Sequence, residues 1–281
     1  MIDTISTMWL PLITCLALTL ILGYPGLHVI KREVIFIDIA VAQIAALGAI
    51  SAHMFLHVHA DSPTAAACAF GSTLIAALFF ATVKHKVITL PIEATIGITY
   101  ALSAAAALFI IGKHTGHTHI RQMLTGSLLW VTAHDVKWSL IVFAAAGTGF
   151  ITFHSRFRHI SDNYKKHKFA SANLIAWDFL FYAICGIVIT AAVRLAGVIV
   201  VFSFLIIPAL ISAIIANKWK TRLIITWTSG AIGSVTGLIF CQTFDFSAGV
   251  SVGLFLGILL ISVSLIKYAA AKTGKNKPPT L

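Results

Sequence analysis

The sequence predicts an all-α polytopic membrane protein of about nine transmembrane helices, with the N-terminus outside and the C-terminus in the cytoplasm. Three observations predict it. Only 10% of the 281 residues are charged, against about 25% in a soluble domain. Apolar runs of some twenty residues recur along the chain, and at about 1.5 Å per residue each crosses about 30 Å of hydrocarbon. Lysine and arginine also alternate in density from one loop to the next, as the positive-inside rule requires. Lipid offers no partner to backbone polar groups, so such runs must be helices.

Nine apolar segments follow in order: 8–29, 34–56, 64–83, 91–112, 138–153, 173–193, 195–216, 223–243 and 247–268. The first carries Asp3, lacks a basic leader and has no small-residue cleavage site after it, so it reads as a retained span rather than a secretory signal. "GYPG" (Gly23–Gly26) is expected to end or bend it. The fifth is short. In the seventh, Pro208 has no N–H and removes the partner of the Phe204 carbonyl, so a bend is expected there. In the eighth and ninth, Gly233 and Gly237, then Gly249, Gly253 and Gly257, recur every four residues, a spacing that lets helices approach closely in lipid. Cys15, Cys68, Cys185 and Cys241 all lie in apolar runs without a C-x-x-C pair and read as packing residues.

With the N-terminus outside, one set of loops holds Lys31, Arg32, Lys84, Lys86, Arg156, Arg158, Lys165, Lys166, Lys168, Lys218, Lys220, Arg222 and the lysines of the tail. The other side receives only Lys113, Arg121, Lys137 and Arg194. The net charge of +11 is therefore an address for the cytoplasmic face and no footprint of nucleic acid. Residues 1–272 are expected to form one transmembrane domain with a cytoplasmic loop at about 154–172, and 273–281 a short basic tail.

This orientation gathers histidines outside. "HMFLHVH" sets His53 and His57 one turn apart with His59 just beyond, and "HTGHTH" sets His114, His117 and His119 in a glycine-containing loop. Neutral imidazole ligates Zn²⁺ and its neighbours, and three or four converging groups are needed. These six are candidates for metal capture, against the plain alternative of polar loops at a membrane surface. Within the membrane, ionisable groups are functional candidates by default. Asp38 with Gln43 on the second span, Glu93 at the start of the fourth and the bend at Pro208 are the candidate pathway; Asp178 reads as an interfacial cap or an internal ion pair. The largest cytoplasmic loop contains "SDNYKKH", which is expected to start a short surface helix capped by Ser161 or Asp162. No G-x-x-x-x-G-K-[ST] occurs. If ATP drives this chain, another subunit supplies the ATPase, and this loop, with Ser161, Asp162, Tyr164 and Lys165, is the place for it to dock.

Several segments, in order along the chain, are similar to the membrane permease of the zinc/manganese/iron family of ABC transporters. "RLAGVIVVFSFLIIPALISAIIA" resembles that family's seventh span, "GLHVIKREVIFIDIAVAQIAALGA" its second, "PIEATIGITYALSAAA" its fourth and "IRQMLTGSLLWVT" the segment after it. The second span departs from the family pattern Gly-Asp-x-x-x-His: Asp38 stands at the glycine, Ile39 at the aspartate and Gln43 at the histidine, and Glu93 stands where aspartate is common. The resemblance implies a homodimeric permease in a bacterial cytoplasmic membrane, with two cytoplasmic ATPase subunits and an extracytoplasmic metal-binding protein that delivers the cargo. It implies no permanently bound cofactor and no enzymatic activity in this chain. The expected function is import of a divalent transition metal, and the external histidines favour Zn²⁺. An ion-coupled secondary metal transporter and an ABC permease for an organic chelate or vitamin are the alternatives.

Overall fold

The computed structural model of the chain describes residues 2–59, 62–86, 91–111, 128–164 and 172–272. These residues form ten α-helices and one short 3-10 turn, with no strand among them. The helices are α1 (Ile2–Arg32), α2 (Ile37–Leu56), α3 (Pro63–Lys86), α4 (Ile92–Ile111), α5 (Ala133–Thr152), α6 (His154–Asp162), α7 (Ala172–Ala196), α8 (Val198–Ile215), α9 (Trp219–Phe244) and α10 (Ala248–Lys272). Eight are each long and apolar enough to span a membrane. The pair α5 and α6, which meet at a bend of 67°, qualifies as a ninth candidate span only when the two are taken together.

Local chemistry sets several boundaries. Ser62 Oγ accepts from the N–H of Ala65 at 3.2 Å, and Pro63 fills the first position of α3, where its missing N–H costs nothing. Thr132 and Asp135 cap α5 reciprocally: the Asp135 N–H donates to Thr132 Oγ1 at 3.2 Å, and the Thr132 N–H to Asp135 Oδ2 at 3.3 Å. This capping box starts α5 five residues before the expected fifth span, which makes it long enough to cross. Gly197 has φ of 85°. A glycine there lets α7 hand over to α8 with no intervening loop.

Neither Pro25 nor Pro208 ends its helix. α1 continues through Pro25 to Arg32. Gly23 and Gly26 serve packing instead: a Cβ on Gly23 would lie 2.9 Å from Thr226 Cγ2 of α9, and one on Gly26 would strike the carbonyl oxygen of Leu205 on α8. Likewise α8 is one continuous helix with Pro208 inside. A single lost hydrogen bond is tolerated where neighbouring helices hold the segment.

The chain forms two compact units, one comprising Met1–Ile30, Ser127–Lys137 and Ile199–Leu281, the other Lys31–Gly126 and Trp138–Val198. In the first unit, α9 lays small residues against α10: a Cβ on Gly237 would be 2.5 Å from Val252 Cα, and Gly233 sits under Leu256. The glycine series of α10 does less, since nothing lies within 4 Å of Gly257. Tyr24, His28 and Trp219 form an aromatic cluster, with His28 4.7 Å from each of the other two rings. In the second unit, α2 and α3 approach through Ala45, Ala49 and Ala69. Thr73 of α3 and Thr190 of α7 share a buried hydrogen bond of 3.0 Å. The cysteines are free thiols, three of them buried, as packing residues should be. Large apolar side chains such as Ile75, Phe109 and Ile151 are more than two-thirds exposed, which suits helices whose solvent is lipid.

Candidate functional site

Asp38 occupies the first turn of α2 and is 2% exposed. Its Oδ1 has no hydrogen-bond partner among the described residues. Buried carboxylates are ordinarily paired, so an orphaned one marks a candidate functional group. Gln43 is half-buried on the same helix. Five residues turn an α-helix by about 140° beyond one full turn, so the two side chains leave α2 on different faces. Glu93 lies exposed in the first turn of α4, where a carboxylate favours the helix N-terminus. Pro208 is buried in α8, within the other unit.

The histidines of the second span do not assemble into a ligand set. His53 lies in the last turn of α2, and its Nδ1 is 2.6 Å from the carbonyl of Val58. His57 caps the helix in the left-handed conformation and His59 lies beyond it. Among the described residues no three His, Cys, Asp or Glu side chains converge as a metal-holding group. His114, His117 and His119 lie outside the described residues.

A cavity of about 600 Å³ opens between α2, α3 and α4, lined by Ile44, Ser72, Phe79, Thr95, Thr99 and Ser103 among others. Ser72 Oγ donates to the carbonyls of Ile44 and Ala69, and Thr99 Oγ1 to that of Thr95. These hydroxyls are spent on backbone and the remaining wall is apolar, which makes it a poor cradle for a cation.

The densest polar constellation surrounds a residue that sequence reasoning had treated as a loop charge. Arg32 is wholly buried. Its Nη1 donates to Asp178 Oδ1 of α7 at 2.8 Å, and its Nε to Ser161 Oγ at the end of α6 at 2.9 Å. The guanidinium lies 3.9 Å from the centre of the Phe181 ring, a desolvated cation–π contact. Tyr164 and Tyr182 join hydroxyls at 2.7 Å beside it. Burial, first of all, pushes the Tyr164 phenol well above its usual range. Next door, Lys31 pairs with Asp162, which also faces Arg158 at 3.6 Å. Asp178 is thus an internal ion-pair partner. The signal that could have found Arg32 was Asp178 itself, since an acid in an apolar run requires a cation nearby.

The residues expected to receive an ATPase need correction on two points. Ser161 and Asp162 end a helix rather than start one, because the amphipathic run is "HSRFRHISD", with Phe157 and Ile160 turned inward. Ser161 and Tyr164 are buried, so they face the Arg32 cluster, while Arg156, Arg158 and His159 form the exposed side of α6. Lys165 lies outside the described residues.

A family model described as the ABC 3 transport family matches residues 4–267. The chain belongs to that family. As an ABC 3 member it is a multi-pass permease subunit, the membrane component of an ABC transporter in a bacterial cytoplasmic membrane. The manganese transport system membrane protein MntC of Listeria monocytogenes is 23% identical over 250 residues, covering 88% of this chain and 86% of that protein. A probable metal transport system membrane protein of Chlamydia muridarum is 21% identical over 258 residues, covering 91% and 87%. Among solved structures, PsaBC from Streptococcus pneumoniae in complex with Fab has the same fold, with a TM-score of 0.75 at 22% identity over 94% of this chain and 95% of that one.

Proposed function

We propose that this ABC 3 permease is the membrane subunit of an ATP-driven importer of a divalent transition metal, with Mn²⁺ ahead of Zn²⁺ as cargo. The observation that carries the reading is the family match over residues 4–267, joined by relatives whose names specify manganese or metal transport. The expectation of Zn²⁺ rested on the external histidines, and the three on α2 and just beyond it form no ligand set. The candidate path offers an oxygen donor, the Asp38 carboxylate, and the position where the family pattern has a histidine is Gln43, whose amide brings no imidazole. Oxygen ligands suit Mn²⁺ better than they suit softer ions.

In this reading the N-terminus is outside and the Lys31–Arg32 end of α1 is cytoplasmic. Two copies of the permease assemble with two ATPase subunits, which dock against the exposed side of α6 and the loop after it. An extracytoplasmic binding protein delivers the ion to the opposite face, where His114, His117 and His119 assist its capture. The test is elemental analysis of cells deleted for this gene and grown with a chelator. A selective fall in cell manganese, restored by the gene, is the expected result. A selective fall in zinc or iron would reassign the cargo. A rise in any of the three would mean export, and no change would overturn the metal reading.

A further inference from the structure

The Arg32 cluster belongs to the second unit, and its stability value alone does not account for it. A buried ion pair is on average no more stabilising than well-packed apolar residues of the same size. This pair is also incompletely satisfied: Arg32 Nη2 is buried with no hydrogen-bond partner among the described residues. Such an arrangement calls for an explanation other than packing.

Its connections supply one. Two successive residues of the α1–α2 junction, Lys31 and Arg32, are gripped by two successive residues at the end of α6, Asp162 and Ser161. Asp178 anchors the guanidinium to α7 at the same point. Asp38 follows only six residues after Arg32. Between them lie Glu33, at φ of 54°, and a connection of residues 33–36 between the two helices. α6 itself is locked inward by Phe157, whose ring lies 5.3 Å from that of Phe181. The end of α6 is thus tied, through Arg32, to the segment that leads into the first turn of α2.

We propose that Arg32 is a positioning residue for transport: through Ser161 and Asp178 it links the α6 end to the segment that carries Asp38, so that work done by the ATPase reaches the ion path. This rests on the reading that α6 and its following loop receive the ATPase. Only a planar, forked side chain can hold Asp178 and Ser161 at once.

The experiment uses the complete permease–ATPase complex in proteoliposomes with its extracytoplasmic binding protein supplied, with Mn²⁺ as the probe and Zn²⁺ and Fe²⁺ in parallel, and reads ions moved per ATP hydrolysed. Two variants are needed. Arg32→Met with Asp178→Leu removes both charges together and keeps the volume, and Arg32→Lys keeps the ion pair and loses the fork. The expected result is assembled complexes whose ions-per-ATP ratio falls about tenfold or more in the double variant and less in Arg32→Lys, within the range of typical coupling free energies. An unchanged ratio in both, whatever the absolute rates, would overturn the linkage. Absence of ATP-dependent uptake of any of the three ions by the unaltered complex would instead remove the transport reading beneath it.

Discussion

Replacing Asp38 by alanine should make the protein more stable and less able to transport. Asp38 Oδ1 is buried without a partner among the described residues, and an unsatisfied buried acceptor costs about 1–3 kcal/mol. Alanine removes that cost. It also leaves a void the size of a carboxyl group, which at about 24 cal/mol per Å³ costs below about 1 kcal/mol. The carboxylate's favourable place in the first turn of α2 is forfeited too, at about 0.3–1 kcal/mol. The balance favours the variant by about 1 kcal/mol, or about 2–4 °C in melting temperature on the scale of soluble domains of similar size. Thermal unfolding of the detergent-solubilised chain measures the first effect, and Mn²⁺ uptake by the assembled complex measures the second. A melting temperature lowered by several degrees would mean that the carboxylate is a structural element with satisfied partners. Retained uptake would remove Asp38 from the path. A gain in stability with a loss of uptake is the pattern of a functional group held at a stability cost.

The Asp178→Asn variant leaves the Arg32 cation buried beside a neutral amide and should cost about 3–5 kcal/mol, whereas the paired Arg32→Met, Asp178→Leu change should be close to neutral; thermal unfolding of the two separates a broken pair from a replaced one. Gly237→Ala should destabilise by about 1–3 kcal/mol, because its Cβ would meet Val252 Cα at 2.5 Å and force α9 and α10 apart by about 1 Å, while Gly257→Ala, inside α10 with nothing within 4 Å, should stabilise by about 0.4–1 kcal/mol. For Tyr164 the folded state holds the proton more tightly than the unfolded chain. Its contribution is therefore complete below the ordinary phenol range of about 10 and lost as pH rises beyond it, so unfolding of the wild type should show an alkaline fall in stability that is weaker in Tyr164→Phe.

The fold was largely legible because its cause is one-dimensional. Run length and charge alternation count spans without any tertiary information, and eight helices plus the bent α5–α6 pair follow from them. The prolines do not end the spans that hold them. Pro25 and Pro208 sit inside continuous helices, since in lipid the alternative to a slightly damaged helix is a fully unsatisfied backbone. Helix caps were only half legible: "SDNYKKH" looked like a start because serine and aspartate are cap residues, yet the amphipathic period of the preceding "HSRFRHISD" governs, and places them at the end.

The candidate site was legible in its acids and illegible in its cation, and the reason is physical. Counting Lys31 and Arg32 as equal loop charges is sufficient for orientation, because the rule integrates charge near a span end and is blind to where each side chain goes. The two residues have different fates: Lys31 pairs at a partly exposed surface, while Arg32 folds back and is buried completely. What separates them is the demand made by Asp178. That acid stands in the second turn of an apolar helix and must find a cation at the same depth. A guanidinium is less strongly hydrated than an ammonium and can satisfy two acceptors from one plane, so of two adjacent basic residues the arginine is the one to bury. The same logic applies to Asp38, but no cation is supplied among its described neighbours. Asp178 has been neutralised by the fold and Asp38 has not, which is why the proposed ion path runs past Asp38 and not past Asp178.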